Sequence, residues 1–370
     1  MNITIMLGNG FDVSFGIQSS YSKFYEWYCP QDSDIAHVDK FRKEINKEIK
    51  SDKPDEEKMW ADFEVGIGQY TKEFTKETVD NFLDCFNDAQ EKIREYLLQQ
   101  SIKFNVDNYS SEIFDSFCNS LWNFYEEITD TEKISINNVL KNYQNENRKL
   151  SFITFNYTDT LERIIAKIPD APLHTWRYGS STYSYLLNRD IIHVHGTTEV
   201  APILGVNDDS QIANKELLRT PQFRNFLIKA ESVNALGHLW QNQAETQISN
   251  SKFVCVLGMS LGATDAKWWR KLCQWLKADS QRRLIIYWFE KNPPSKVAYV
   301  KELQCKNKVK EKLLSYSNLT DSEKETVRNQ IYVVINTETF MHLTKNNQEI
   351  DEKNHEESKE VLGEHKNLIA

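Results

Sequence analysis

The chain has 370 residues, of which 40% are hydrophobic, 27% charged and 12% aromatic, with a formal net charge of −9. That balance fits a soluble globular protein with a sizeable core and disfavours broad non-specific nucleic-acid binding. No apolar run approaches the roughly 18 residues of a spanning helix. Residues 1–10 have neither a basic flank nor a small-residue cleavage site, so no signal peptide is expected and a cytoplasmic location is. Six cysteines (Cys29, Cys85, Cys118, Cys255, Cys273, Cys305) are widely spaced without a C-x-x-C pair. Neither structural zinc nor a disulfide framework is expected, and the thiols read as plain buried side chains.

In chain order, short and nearly continuous apolar runs occur at 3–7, 152–155, 191–194, 203–204, 253–257, 284–289 and 331–335. Runs of that length suit strands buried on both faces of a parallel sheet. Helical text lies between the later ones, at 266–278 and 295–314, giving the βαβ alternation of an α/β fold. Lysines 306, 308, 310 and 312 read as the solvated face of the second of these helices. Residues 30–148 form a different kind of text. Val79, Phe82, Leu83, Phe86, Ile93, Tyr96 and Leu97 recur at helical spacing, as do Ile113, Phe114, Phe117, Leu121, Trp122 and Tyr125. The expected organisation is an α/β core over 1–29 and 149–343, a helical insertion at 30–148, and a disordered polar tail at 344–370. Within the insertion, the charged stretch 32–57 is either an exposed helix or a loop. The aromatic-rich insertion is also compatible with a homo-oligomer.

Gly8, Gly10, Gly196, Gly205, Gly258 and Gly262, half of the twelve glycines, sit at or just past proposed strand ends. Ligands of open α/β sheets lie outside the carboxyl ends of the strands, where glycine lets backbone N–H groups approach closely. Leu7-Gly8-Asn9-Gly10-Phe11-Asp12 therefore reads either as a phosphate-cradling turn or as a plain tight turn with Asp12 capping a helix. It lacks the third glycine of the dinucleotide fingerprint, since position 13 is Val13 and the next glycine is Gly16. Asn156, after the second strand, either offers a donor and an acceptor to water or a ribose hydroxyl or caps the following helix, and Asp159 reads as a helix cap. In His193-Val194-His195-Gly196 the two histidines share one face of a strand end. With an ordinary pKa near ~6.5 a histidine there serves as a general base, as a metal ligand or as a structural group. Gly258 and Ser260 are placed to meet a ribose or phosphate, and Asp265 either joins them or caps the helix at 266. Trp268 and Trp269 read as core. Trp60-Ala61-Asp62-Phe63-Glu64 reads as an amphipathic helix start with Asp62 and Glu64 on the solvent side.

Taken together, these residues resemble the AbiH family of bacterial abortive-infection proteins. The resemblance rests on Gly8 to Asp12 with Ser20-Tyr21 and Phe24, Trp60 with Glu64, and Phe155-Asn156-Tyr157-Thr158 with Leu161-Glu162. It continues through His193 to Gly196, Ile203-Leu204-Gly205, and Gly258 with Ser260 and Asp265. A deeper resemblance is to the SIR2-like, Rossmann-like fold: Gly8, Gly10, Gly16 and Ile17 follow the spacing of the sirtuin glycine turn. Asn156, His195-Gly196 and Gly258-Met259-Ser260 match its catalytic Asn, its His-Gly base and its ribose loop.

That resemblance implies NAD as ligand or substrate, with Asn156 positioning water or ribose and His195 acting as base. Gly8, Asn9, Gly10, Phe11, Asp12, Gly196, Gly258, Ser260 and Asp265 would bind the nucleotide. The four-cysteine zinc module is absent, Thr158 stands where an acidic residue is usual, and Gln18-Ser19-Ser20-Tyr21 replaces the Pro-Asp-Phe-Arg segment. Protein deacetylation is therefore not expected, and NAD hydrolysis is. The resemblance also implies a phage-derived trigger or partner. A non-catalytic nucleotide sensor and a metal-dependent hydrolase using His193 and His195 are the competing readings.

Overall fold

The computed structural model describes residues 1–53, 58–200, 202–295 and 297–337; the tail expected at 344–370 lies outside them. A seven-stranded sheet forms the centre. Its first strand, β1 (Asn2–Leu7), is followed by helices α1 (Asn9–Ser14), α2 (Tyr21–Tyr28), α3 (Ala36–Ile49), α4 (Phe63–Tyr70) and α5 (Val79–Lys103). Then come α6 (Ser111–Trp122), α7 (Asp130–Lys141), β2 (Arg148–Thr154), α8 (Thr160–Lys167), β3 (His174–Tyr178) and β4 (Ser181–His193). The chain continues through α9 (Pro221–Leu227), α10 (Lys229–Ala235), α11 (Trp240–Ser249), β5 (Ser251–Leu257) and α12 (Ala266–Lys277). It closes with β6 (Arg283–Trp288), α13 (Tyr299–Ser315), α14 (Asp321–Arg328) and β7 (Ile331–Ile335).

The strands run in the order β3-β4-β2-β1-β5-β6-β7, all parallel except the antiparallel edge strand β3. The chain leaves β1 toward β2 on one side and later returns to β5 on the other, so the strand order reverses around β1. The register aligns Leu7 with Thr154 and with Leu257, and Thr154 with His193. Four strands therefore end level, and the residues just after them share one rim.

Alternation along β1 sends Ile3, Ile5 and Leu7 to one face and Met6 to the other. The first face is covered by α6 and α7, through Phe117, Leu121, Ile136 and Leu140. The second is covered by α12 and α13, where Trp268, Trp269 and Leu272 are buried. A third apolar cluster joins α2 to α5 with Leu204, Val206, Leu227 and Ile228. The helical segment thus enters two clusters.

Several expectations change. The apolar pair at 203–204 is buried but forms no strand; it belongs to a loop held by the Ile203 N–H donating to the His195 carbonyl. The run at 191 is the end of a 13-residue strand whose first part pairs with β3. The stretch at 32–57 contains α3, a helix with one buried face of Val38, Phe41, Arg42 and Ile45, while 54–57 lie outside the described residues. All six cysteines are free thiols, four of them buried. Among the described residues no helix is long and apolar enough to cross a membrane.

Candidate functional site

The level strand ends open onto a cavity of about 730 Å3, roofed by residues of the helical segment. Gly8, Asn9, Gly10, Asp12, Asn156, His195, Gly258, Ser260 and Asp265 all line it. Phe11 does not: it is buried in the core with its ring edge-on to Phe15. Gly196 borders a separate recess together with His193.

The glycines first serve a structural end. The Gly8 N–H donates to the Leu257 carbonyl at 3.0 Å, and the Gly10 N–H to the Gly258 carbonyl at 2.8 Å. A Cβ on Gly10 would lie 2.7 Å from the Gly258 Cα, and Gly258 itself adopts φ +70°. The β1 and β5 loops are thus backbone-to-backbone, which only glycine permits. Two of the turn's N–H groups are engaged in this contact.

Asp12 sits inside α1 rather than capping it; Gly8 occupies the cap position. Its Oδ1 accepts from Asn156 Nδ2 at 3.0 Å and its Oδ2 from Thr158 Oγ1. Burial pushes the Asp12 carboxyl up to about 6, against the pull of those hydrogen bonds. Asn156 is gripped a second time through its carbonyl, which accepts from His193 Nδ1 at 3.0 Å. The other ring nitrogen of His193 meets Glu162 Oε1 at 2.5 Å. With both nitrogens taken by protein oxygens, His193 is a strut for Asn156, and it is unavailable as a metal ligand. Asp159 occupies the N-terminal position of α8 without capping it through its side chain. It accepts instead from Ser101 Oγ and Arg163 Nε.

His195 is 5% exposed, edge-on to Phe155, and lies with Nε2 3.6 Å from Asp265 Oδ1. Burial first, and then the charge of Lys229, hold it well below the usual histidine range. It is a neutral imidazole at physiological pH, with little affinity for a proton.

The strongest electrostatic feature was not legible in the sequence. Asp62 caps α4 by accepting from the N–H groups of Glu64 and Val65, which places Glu64 in the first turn. Glu64 is not on the solvent side: it is 6% exposed and lines the cavity, because α4 is buried almost all round. Its Oε2 accepts from Lys229 Nζ at 2.8 Å. A single parallel bridge, Val206 to Ile228, sets Lys229 at the start of α10. Lys229 is 4% exposed and also reaches Asp265 Oδ1 at 3.3 Å. Burial pushes its pKa down, but Asp265 and Glu64 outweigh this and hold it above the ordinary value. Burial pushes Glu64 up to about 7, Lys229 pulling the other way. Asp265, which had read as a ribose contact or a helix cap, makes no side-chain cap bond and is the far end of this cluster.

The lysine run on α13 is not wholly a solvated face. Lys312 Nζ donates to the Ser260 carbonyl at 2.8 Å and lies over the Trp288 ring, at the cavity edge, while Lys306 pairs with Glu302. Among the described residues no three His, Cys, Asp or Glu side chains converge as a metal-binding group.

Fold and cavity define a predominantly parallel α/β protein with a buried acid–base cluster at the carboxyl end of its sheet. The chain belongs to the AbiH family: the family described as bacteriophage abortive infection AbiH matches residues 4–287. That membership places it among the bacteriophage abortive-infection defence proteins. No curated protein matches the chain.

Proposed function

We propose that the cavity has a SIR2-like character, binds NAD, and that the protein hydrolyses the nicotinamide–ribose bond to deplete the cofactor during phage infection. The observation that supports this most is the convergence of Asn156 and His195, from adjacent strand ends, on one cavity beside the Gly8–Gly10 turn. At about 730 Å3 the cavity falls in the ordinary range of small-molecule sites. Glycosidic cleavage passes through an oxocarbenium-like state, and the chemistry asks for polar groups held rigidly around the sugar. Asn156 is fixed by Asp12 on its side chain and by His193 on its backbone, so its amide orients a ribose hydroxyl or water. His195, neutral, accepts a hydrogen bond from the substrate without adding positive charge beside the oxocarbenium. Lys312, held beside Ser260 at the cavity edge, offers a cation to the diphosphate of a nucleotide.

Purified protein mixed with NAD, with and without lysate of phage-infected cells as the trigger, is expected to release nicotinamide, measured by chromatography. Asn156→Ala and His195→Ala are each expected to lower that turnover by roughly a hundredfold or more. Wild-type rates in both variants would sink the assignment.

A further inference from the structure

Glu64 Oε1 is buried and has no hydrogen-bond partner. A buried carboxylate oxygen without a donor is costly, and native structures rarely keep one idle. The other oxygen of the same carboxyl is tied to Lys229, which fixes the side chain, and Glu64 lines the cavity next to Asp62 and Asp265. The other acids of the cavity each already accept from the protein, Asp62 from the N–H groups of Glu64 and Val65. Asp12 accepts through both oxygens from Asn156 and Thr158, and Asp265 is held by Lys229 and lies beside His195. Burial and the charge of Lys229 hold His195 well below the usual histidine range, which disfavours it as the group that takes the water's proton. Among the carboxylates that line the cavity, Glu64 Oε1 is thus the buried oxygen for which the described residues supply no donor.

We propose that Glu64 is the catalytic base of the hydrolysis, its Oε1 accepting a proton from the water that attacks the ribose. This assignment rests on the NAD-cleavage reading above. In the step, a water O–H bond breaks and its proton passes to Oε1, while the oxygen bonds to the anomeric carbon. The bond from that carbon to the nicotinamide nitrogen breaks, and its electron pair stays on the nitrogen, neutralising the pyridinium. The products are nicotinamide and ADP-ribose, and the proton on Glu64 returns to solvent.

The groups facing Glu64 tune it for that task. Asp62 and Asp265 add negative charge, Lys229 adds positive charge, and the hydroxyls of Tyr21 and Tyr157 lie within its field. The resulting value of about 7 lies near the working pH, where a general base is most effective. A carboxylate from the helical segment would thus complete a site whose Asn156 and His195 come from the strand-end loops.

The test compares wild-type protein with Glu64→Gln, which keeps a carbonyl acceptor for Lys229, and with Glu64→Ala. Nicotinamide release is measured from about pH 5 to 9, NAD binding by calorimetry, and folding by unfolding midpoint. Glu64→Gln is expected to lose about a hundredfold or more in kcat, with NAD affinity within about threefold of wild type. The wild-type rate should rise through about 7, and that limb should vanish in Glu64→Gln. Formate at high concentration should restore part of the Glu64→Ala rate by standing in for the missing carboxylate. If wild-type protein turns over and Glu64→Gln keeps more than about a tenth of the rate, Glu64 is not the base although the hydrolysis stands. If wild-type protein releases no nicotinamide with or without infected-cell lysate, the hydrolysis reading fails and the base assignment falls with it.

Discussion

Replacing Lys229 by methionine isolates the energetics of the buried cluster. The side chain keeps a similar length and apolar stem, but the ammonium is lost, leaving the Glu64 and Asp265 carboxylates without the cation now 2.8 and 3.3 Å away. Removing one partner of a buried ion pair costs about 3–5 kcal/mol, because the other charge stays buried and uncompensated. The cost depends on pH with a sign that can be worked out. The folded-state pKa of Glu64, about 7, lies above its unfolded value, so its contribution to stability is complete below the unfolded value and lost as pH rises through about 7. Lys229→Met removes a pull that lowers this pKa, so the variant suffers most above about 7 and least in acid. Adding Glu64→Gln to Lys229→Met removes one orphan charge and should restore about 1–3 kcal/mol at about pH 8. Urea unfolding followed by fluorescence of the nine tryptophans reads all three proteins at about pH 5 and 8. A Lys229→Met cost below about 1 kcal/mol at the higher pH, or costs that simply add in the double variant, would refute the reasoning.

Asp12→Asn should show a related signature. Asp12 is raised to about 6 by burial, so it stabilises fully below its unfolded value of 3.8 and loses that contribution as pH rises through about 6. The stability of Asp12→Asn relative to wild type should therefore improve by up to about 3 kcal/mol between about pH 4 and 7; a difference that does not move with pH would remove the desolvation argument. Gly10→Ala places a methyl group 2.7 Å from the Gly258 backbone and should cost about 1–3 kcal/mol in urea unfolding, with weakened NAD binding by calorimetry. Stability within about 0.5 kcal/mol of wild type would mean the two strand-end loops are not locked together.

Three strands were legible because both of their faces are buried: Phe253 to Leu257 and Ile331 to Val334 are continuous apolar runs, and Ile3 to Leu7 is broken by the buried Thr4 alone. The edge hairpin was not. Most of β3 and much of β4 are half-exposed, and Thr175, Arg177 and Tyr178 give no such run. Burial without a ladder explains Ile203 and Leu204: both are buried in a loop, and Leu204 packs into the α2–α5 cluster. In the site, Asn156 and His195 could be read from their places just past strand ends. Lys229 could not, because a lysine after Leu227-Ile228 carries no periodic mark and its partner Glu64 is 165 positions away. Glu64 was misplaced because a charged residue in a first helical turn ordinarily faces water, whereas this turn is wrapped by Trp60, Phe63 and Tyr70.

The Glu64–Lys229–Asp265 cluster also orders events in time. A chain made from its N-terminus carries Glu64 long before Lys229 exists, so the carboxylate has no counter-charge when the helices around it are first synthesised. Burying it then is unfavourable, and the cavity that it lines also needs Tyr287, Trp288, Phe289, Asn336 and Thr337 from later in the chain. A partly made protein holds the glycine turn and Asn156 but not the complete cavity. The site therefore becomes whole only after β7, which precedes the lining residues Asn336 and Thr337, has been made.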